Sequence, residues 1–156
     1  MNFKLLTVTA LSLALGASFS LADGHADPAI QGAIKARQGQ MQIYGHNLGI
    51  IGAMAKGEMD YDAAMAQTAA DNLVVAASLN AMTMWPQGSD NASAPNTNAK
   101  PEIWANFPDV GAKAADLDTA LAAMAVAAGQ DLNSLRGAMG MLGKACGACH
   151  KAYRSE

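Results

Sequence analysis

Between Ile103 and Ala128 the apolar residues fall at Ile103, Phe107, Val110, Ala114, Leu117, Leu121, Met124 and Ala128. The gaps alternate between four and three, which is the repeat of one face of an α-helix and not of a half-buried strand. The same spacing returns in Leu132, Leu135, Met139, Leu142, Cys146, Cys149 and Tyr153. Earlier in the chain Ile34, Met41, Leu48 and Ala55 recur every seven residues, with Ile30 and Ile51 filling the stripe. A further stretch reads Met65, Thr68, Asn72, Val75, Leu79 and Met82 on one face. With aromatics at 5% and ten methionines, the core has to be filled by Ala, Leu, Met, Ile and Val, a set that favours helices over sheets.

Local signals bound these helices. The first is predicted from Pro28, after Asp27, to Lys56, with Gly57 ending it. Its glycines at 32, 39, 45, 49 and 52 weaken it in isolation, and predict close approach of a neighbouring helix or a flat cofactor. The second is predicted from Tyr61, capped by Asp60, to Met82, before Trp85-Pro86. Residues 86–100 hold Gly, Ser, Asn, Asp and Pro and read as an exposed crossover loop. The third starts near Pro101, with a break or kink at Pro108, and ends at Gly129. Asp131 caps the fourth. Four such helices bury their stripes most simply as an all-α, antiparallel four-helix bundle with one longer crossover between helices 2 and 3.

Residues 1–22 stand apart from this pattern. Lys4 precedes an uncharged apolar run from Leu5 to Leu21, and Ser20-Leu21-Ala22 puts small residues where a signal peptidase cuts. The expectation is a cleaved signal peptide over 1–22, a globular domain over 23–156 and a periplasmic location, with no stable membrane insertion afterwards. A membrane anchor is the competing reading of the run. The mature chain then carries nine basic and thirteen acidic residues, net −4. An acidic chain argues against nucleic-acid binding, which needs a basic face.

Cys146-Gly147-Ala148-Cys149-His150 contains the only two cysteines and has the spacing of covalent haem c attachment. Two thiols must reach two vinyl groups on neighbouring edges of one porphyrin. Three residues of helix turn through about 300°, so the cysteines share a face one turn apart, and His150 lies about 40° from Cys146. A thiol oxidoreductase would have its Cys-x-x-Cys opening a helix after a strand. A zinc site would need about four ligands, and the other histidines are only His25 and His46. A structural disulfide would leave His150 unexplained.

The order and spacing of several short pieces make the chain similar to the class II cytochromes c. They are Arg37-Gln38 with Met41, Ala55-Lys56-Gly57-Glu58 with Tyr61-Asp62, Lys100-Pro101 with Ile103-Trp104, Gly143-Lys144-Ala145 leading into the motif, and Tyr153-Arg154. The resemblance implies one haem c held by Cys146 and Cys149, with iron bound by His150. It also implies two possible states of the opposite face. In the low-spin branch a first-helix methionine, here Met41, binds the iron of an electron carrier. In the cytochromes c-prime that face stays open to nitric oxide or carbon monoxide. Gly45-His46-Asn47-Leu48 looks more like the low-spin branch, whereas Gln42 stands where that branch often has a basic residue. From spacing alone Met41 reads more readily as core filler than as a ligand, and it is the resemblance that favours ligation; Met65, Met139 and His46 are weaker ligand candidates.

Arg37, one turn before Met41, suits a haem propionate or else a solvated helix face; Gln38 invites the same reading. Thr68 and Asn72 are expected near the ring edge or filling small gaps, Tyr153 against the helix end, and Trp85 and Trp104 as core anchors beside the crossover. The electron-carrier reading implies redox partner proteins in the periplasm, and the resemblance allows a homodimer formed through the first two helices. No nucleophile–base or acid pair suggests substrate turnover.

Overall fold

A computed structural model describes residues 27–156; the expected signal peptide over 1–22 and its cleavage site lie outside them. Helix α1 spans Pro28–Lys56, α2 Ala63–Ala77, α3 Glu102–Ala105, α4 Phe107–Ala127 and α5 Leu132–Tyr153, with a 3-10 turn at Ala81–Met84. Among the described residues there is no strand, and a single antiparallel bridge joins Ala99 to Arg154. Helix α1 packs on α2 and α5, and α4 packs on α2 and α5, closing the ring of an antiparallel four-helix bundle. No described helix is long and apolar enough to cross a membrane.

The ends of α1 follow their caps. Asp27 accepts a hydrogen bond from the Ala29 amide at 2.8 Å, and Pro28 needs no donor there. Gly57 ends the helix at φ 77°, a left-handed conformation that a side chain would strain, and its amide donates back to Ala53 and Met54. Asp131 opens α5 by accepting from the amides of Asn133 and Ser134. Pro108 does interrupt the third stretch: Asn106 leaves helical geometry at φ −139°, and α4 restarts with the proline in its first turn.

Helix α2 departs from expectation in length and in face. Asp62, not Asp60, caps it, accepting from the Met65 amide at 2.9 Å. It stops at Ala77, and Asn80 then caps the 3-10 turn. Its buried residues are Ala66, Ala69, Ala70, Leu73 and Ala76. The expected stripe of Met65, Thr68, Asn72, Val75, Leu79 and Met82 is exposed throughout. Small alanines let α1 and α4 approach α2 closely, and the larger apolar residues are left on the outside.

The central core joins Ile51 and Met54 of α1, Leu73 of α2, Leu121 and Met124 of α4, and Leu135 and Leu142 of α5. A second cluster closes one end of the bundle, where Ala99, Ile103 and Tyr153 pack with Trp85, Trp104 and Cys149. The two tryptophan rings stand 6.0 Å apart there, so both serve as the anchors expected of them. Among the described residues the α1 glycines have no close neighbour: a Cβ at Gly32, Gly39, Gly45, Gly49 or Gly52 would meet nothing within 4 Å. Close approach by a neighbouring helix of the same chain is therefore not what they serve.

Candidate haem site

The C-terminal turns of α5 present the motif. Cys146 and Cys149 are both unpaired thiols, half-buried on the inward stripe of the helix. Cys146 packs beside the central core and Cys149 beside the tryptophan cluster. Burial pushes both thiols above their ordinary range. His150 follows on the adjoining face. Burial, with Arg154 adding repulsion, lowers its pKa, so its imidazole is neutral near pH 7 with a lone pair free for a metal.

Beside them lies a cavity of about 600 Å³, within the roughly 300–1,000 Å³ common for small-molecule and cofactor sites. Helix α1 lines it with Arg37, Gln38, Met41 and Gln42; α5 lines it with Cys149, His150 and Tyr153. Trp85, Ile103, Arg154 and the segment 96–99 complete the wall. Thus five of the six expected site residues (Arg37, Gln38, Met41, Cys149 and His150) share one cavity, and Cys146 sits one turn back along α5. The donor set fits a haem: two free thiols, a neutral imidazole and a thioether, from helices that pack side by side. No group of three or more His, Cys, Asp or Glu side chains able to hold a metal ion occurs among the described residues.

Arg37 departs from expectation. It is 4% exposed, not solvated. Its two terminal nitrogens donate four hydrogen bonds, to Met84 O and Ser89 Oγ and to Ser89 O and Thr97 Oγ1. The guanidinium lies 4.5 Å from the centre of the Trp85 ring. Burial lowers its pKa, an effect the charge of Asp90 opposes. Gln38 likewise turns to the crossover, donating to Asn96 O at 2.7 Å.

Thr68 and Asn72 line no part of the cavity: Thr68 donates to Ala64 O in its own helix, and Asn72 to Asn47 Oδ1 at 3.1 Å. His46 is exposed on the outside of α1. Tyr153 does pack at the helix end, donating to Asp109 Oδ2 at 2.6 Å, and it also reaches the cavity.

The crossover was the larger omission. Ser89, Asp90, Ala94 and Ala99 are buried, so the segment 86–100 is anchored inward at these points, while Gln87, Asn91, Ala92, Ser93, Pro95, Asn96 and Asn98 are exposed as expected of a loop. The one signal for this in the sequence is Asp90, whose carboxylate caps the turn by accepting from Ala92 and Ser93.

A thiol pair and an imidazole at one end of a four-helix bundle define a c-type cytochrome of the bundle class. The comparisons agree. The sequence signature of cytochrome c' matches residues 32–154. Cytochrome c-554 of Cereibacter sphaeroides is 43% identical over 127 residues, covering 81% of this chain and 83% of that one. Cytochrome c-556 of Agrobacterium fabrum is 38% identical over 126 residues, covering 79% and 81%. The solved cytochrome c' of Shewanella frigidimarina superimposes with a TM-score of 0.75 at 32% identity, over 84% of this chain and all of that one. The chain belongs to the cytochrome c' family of four-helix-bundle cytochromes and carries one covalently bound haem c, attached through Cys146 and Cys149.

Proposed function

We propose that this protein is a periplasmic carrier of single electrons, with a low-spin haem iron held between His150 and Met41. The observation that carries the reading is that Met41 lines the same cavity as His150, from the helix packed against α5. Met41 is 43% exposed in the chain alone, so its side chain is not locked into the core as filler would be. When bound, the haem supplies the redox chemistry, one electron passing between ferrous and ferric iron. The chain does the rest. His150 offers a neutral imidazole, and the soft thioether of Met41 favours the ferrous state and raises the potential. Trp85, Ile103 and Tyr153 put apolar surface around the site, which limits water and with it the reorganisation that accompanies charge change. Electron donors and acceptors are then other periplasmic proteins.

The same exposed thioether supports a second reading, in which Met41 only crowds a five-coordinate iron open to nitric oxide or carbon monoxide. Variants of the cytochrome c' from Alcaligenes xylosoxidans have been solved with each of these bound. The test is the absorption and EPR spectrum of the haem-loaded protein, with and without Met41→Ala. A low-spin spectrum that turns high-spin in the variant supports axial His150 and Met41. A wild type that is already high-spin and takes up carbon monoxide removes Met41 as a ligand and moves the function to gas binding.

A homodimer through α1 and α2 completes the proposal. Val75 and Met65 on α2 are 66% and 45% exposed, Leu79 just beyond its end is 51% exposed, and Ile43 on α1 is 48% exposed. The glycines of α1 leave open space above the helix that a second copy can fill.

A further inference from the structure

The crossover is tied to both helices that face the haem cavity. On the α1 side it is held by Arg37, by Gln38 on Asn96 O at 2.7 Å and by Gln31 on Pro95 O at 3.4 Å. On the α5 side the Lys100 amide donates to Tyr153 O at 2.9 Å, and the Ser155 amide to Asn98 O at 2.8 Å. Asn91 Nδ2 adds a bond to Ser155 Oγ at 3.1 Å. Between these two sets of ties, Asn96, Thr97, Asn98 and Ala99 form part of the cavity wall. The segment therefore spans from the helix that carries Met41 to the helix that carries His150.

Arg37 is the fixed point of that span. Its planar fork has two donors on each terminal nitrogen, and all four are used, one on Met84 in the preceding 3-10 turn and three on Ser89 and Thr97 within the segment. Thr97 Oγ1 also accepts from the Ala99 amide at 3.2 Å, which passes the constraint on to the wall. Among the described residues no carboxylate lies within ion-pair distance of Arg37; Asp90 acts on it only at longer range and is hydrogen-bonded into its own turn. A buried cation without a counter-ion in contact depends on donors that are satisfied and fixed. Lysine, a compact point charge, could not reach these acceptors from one centre.

We propose that Arg37 is a positioning residue: by holding the crossover against α1, it sets the separation of the two cavity faces that carry Met41 and His150. This rests on the reading that the haem lies between α1 and α5, and not on which of the two iron states is present.

The test uses the haem-loaded protein with Arg37→Gln, Arg37→Lys and Thr97→Val, and Leu135→Ala as a core control at the far end of α5. The wild-type spin state is read first, and it alone decides between the two iron states. The readouts for Arg37 are the high-spin fraction, the rate of carbon monoxide binding to the ferrous protein, and hydrogen exchange at the amides of Asn91 and Lys100.

For Arg37→Gln we expect carbon monoxide to bind roughly tenfold faster, the effect of one or two lost hydrogen bonds. We expect faster exchange at both amides, and a larger high-spin fraction if the wild type is low-spin. Lysine should restore little of this, and Thr97→Val should show a smaller change in the same direction; it also serves if Arg37→Gln does not fold. Leu135→Ala should lose thermal stability and keep the wild-type spectrum and rate. If the Arg37 and Thr97 variants lose stability only, with spectrum, rate and exchange as in the wild type, the positioning role is overturned.

Discussion

Tyr153 donates its hydroxyl to Asp109, and that one bond ties the last turn of α5 to the first turn of α4. The bond from Tyr153, assisted by Lys113 at 3.3 Å, holds the Asp109 carboxyl below the ordinary carboxylate range. A folded-state pKa below the unfolded one means that the pair stabilises the fold above the ordinary carboxylate value. That contribution is lost as pH falls through the lowered folded value. Thermal melts of wild type and Asp109→Asn should therefore differ at neutral pH, with the wild type higher, and converge in acid. A gap that persists unchanged below the carboxylate range would sink the assignment. Residues differ in how far their roles could be read from sequence. The spacing of Cys146, Cys149 and His150 is itself chemistry, so it survives translation into three dimensions. Arg37 was legible as a residue near the site but not in its task, because its partners Ser89 and Thr97 are some fifty to sixty positions away and follow no periodicity.

Among the elements, α1 has the bounds its caps predict, since Asp27, Pro28 and Gly57 are local devices that act without tertiary help. Helix α2 does not. Pattern reading weights large apolar side chains, so it selected Met65, Val75 and Leu79, whereas the bundle buries Leu73 among alanines. Close helix approach rewards small residues, and that preference is invisible when hydrophobicity alone is summed. The contrast is measurable by urea denaturation. Leu73→Ala should cost about 2–5 kcal/mol, as for other fully buried leucines. Val75→Ala, on the outer face, should stay within about 0.5 kcal/mol for the monomer. Equal losses at the two positions would mean that the face of α2 is misassigned.

For the molecule as a whole, the all-α class and bundle topology were legible from four apolar repeats. The inward anchoring of the crossover was not, because polar turn residues look alike whether they face water or carry hydrogen bonds inward. The outward apolar face of α2 and the open glycine face of α1 give the whole particle a distinct test. Light scattering of the haem-loaded protein should show twice the monomer mass, and Val75→Asp with Leu79→Asp should halve it without altering the haem spectrum. A monomer at every concentration would remove the proposed dimer.

Finally, α1 and α5 pack side by side although they are the first and last of the five described helices. Their contacts close the longest loop in the fold, which carries the greatest entropic cost of closure. The cysteines that hold the haem lie on α5, so the cofactor is fastened to one side of that long-range pairing. If the haem sits between α1 and α5 as proposed, the most distant pairing in the bundle is bridged by a group that is covalently part of one of its own helices.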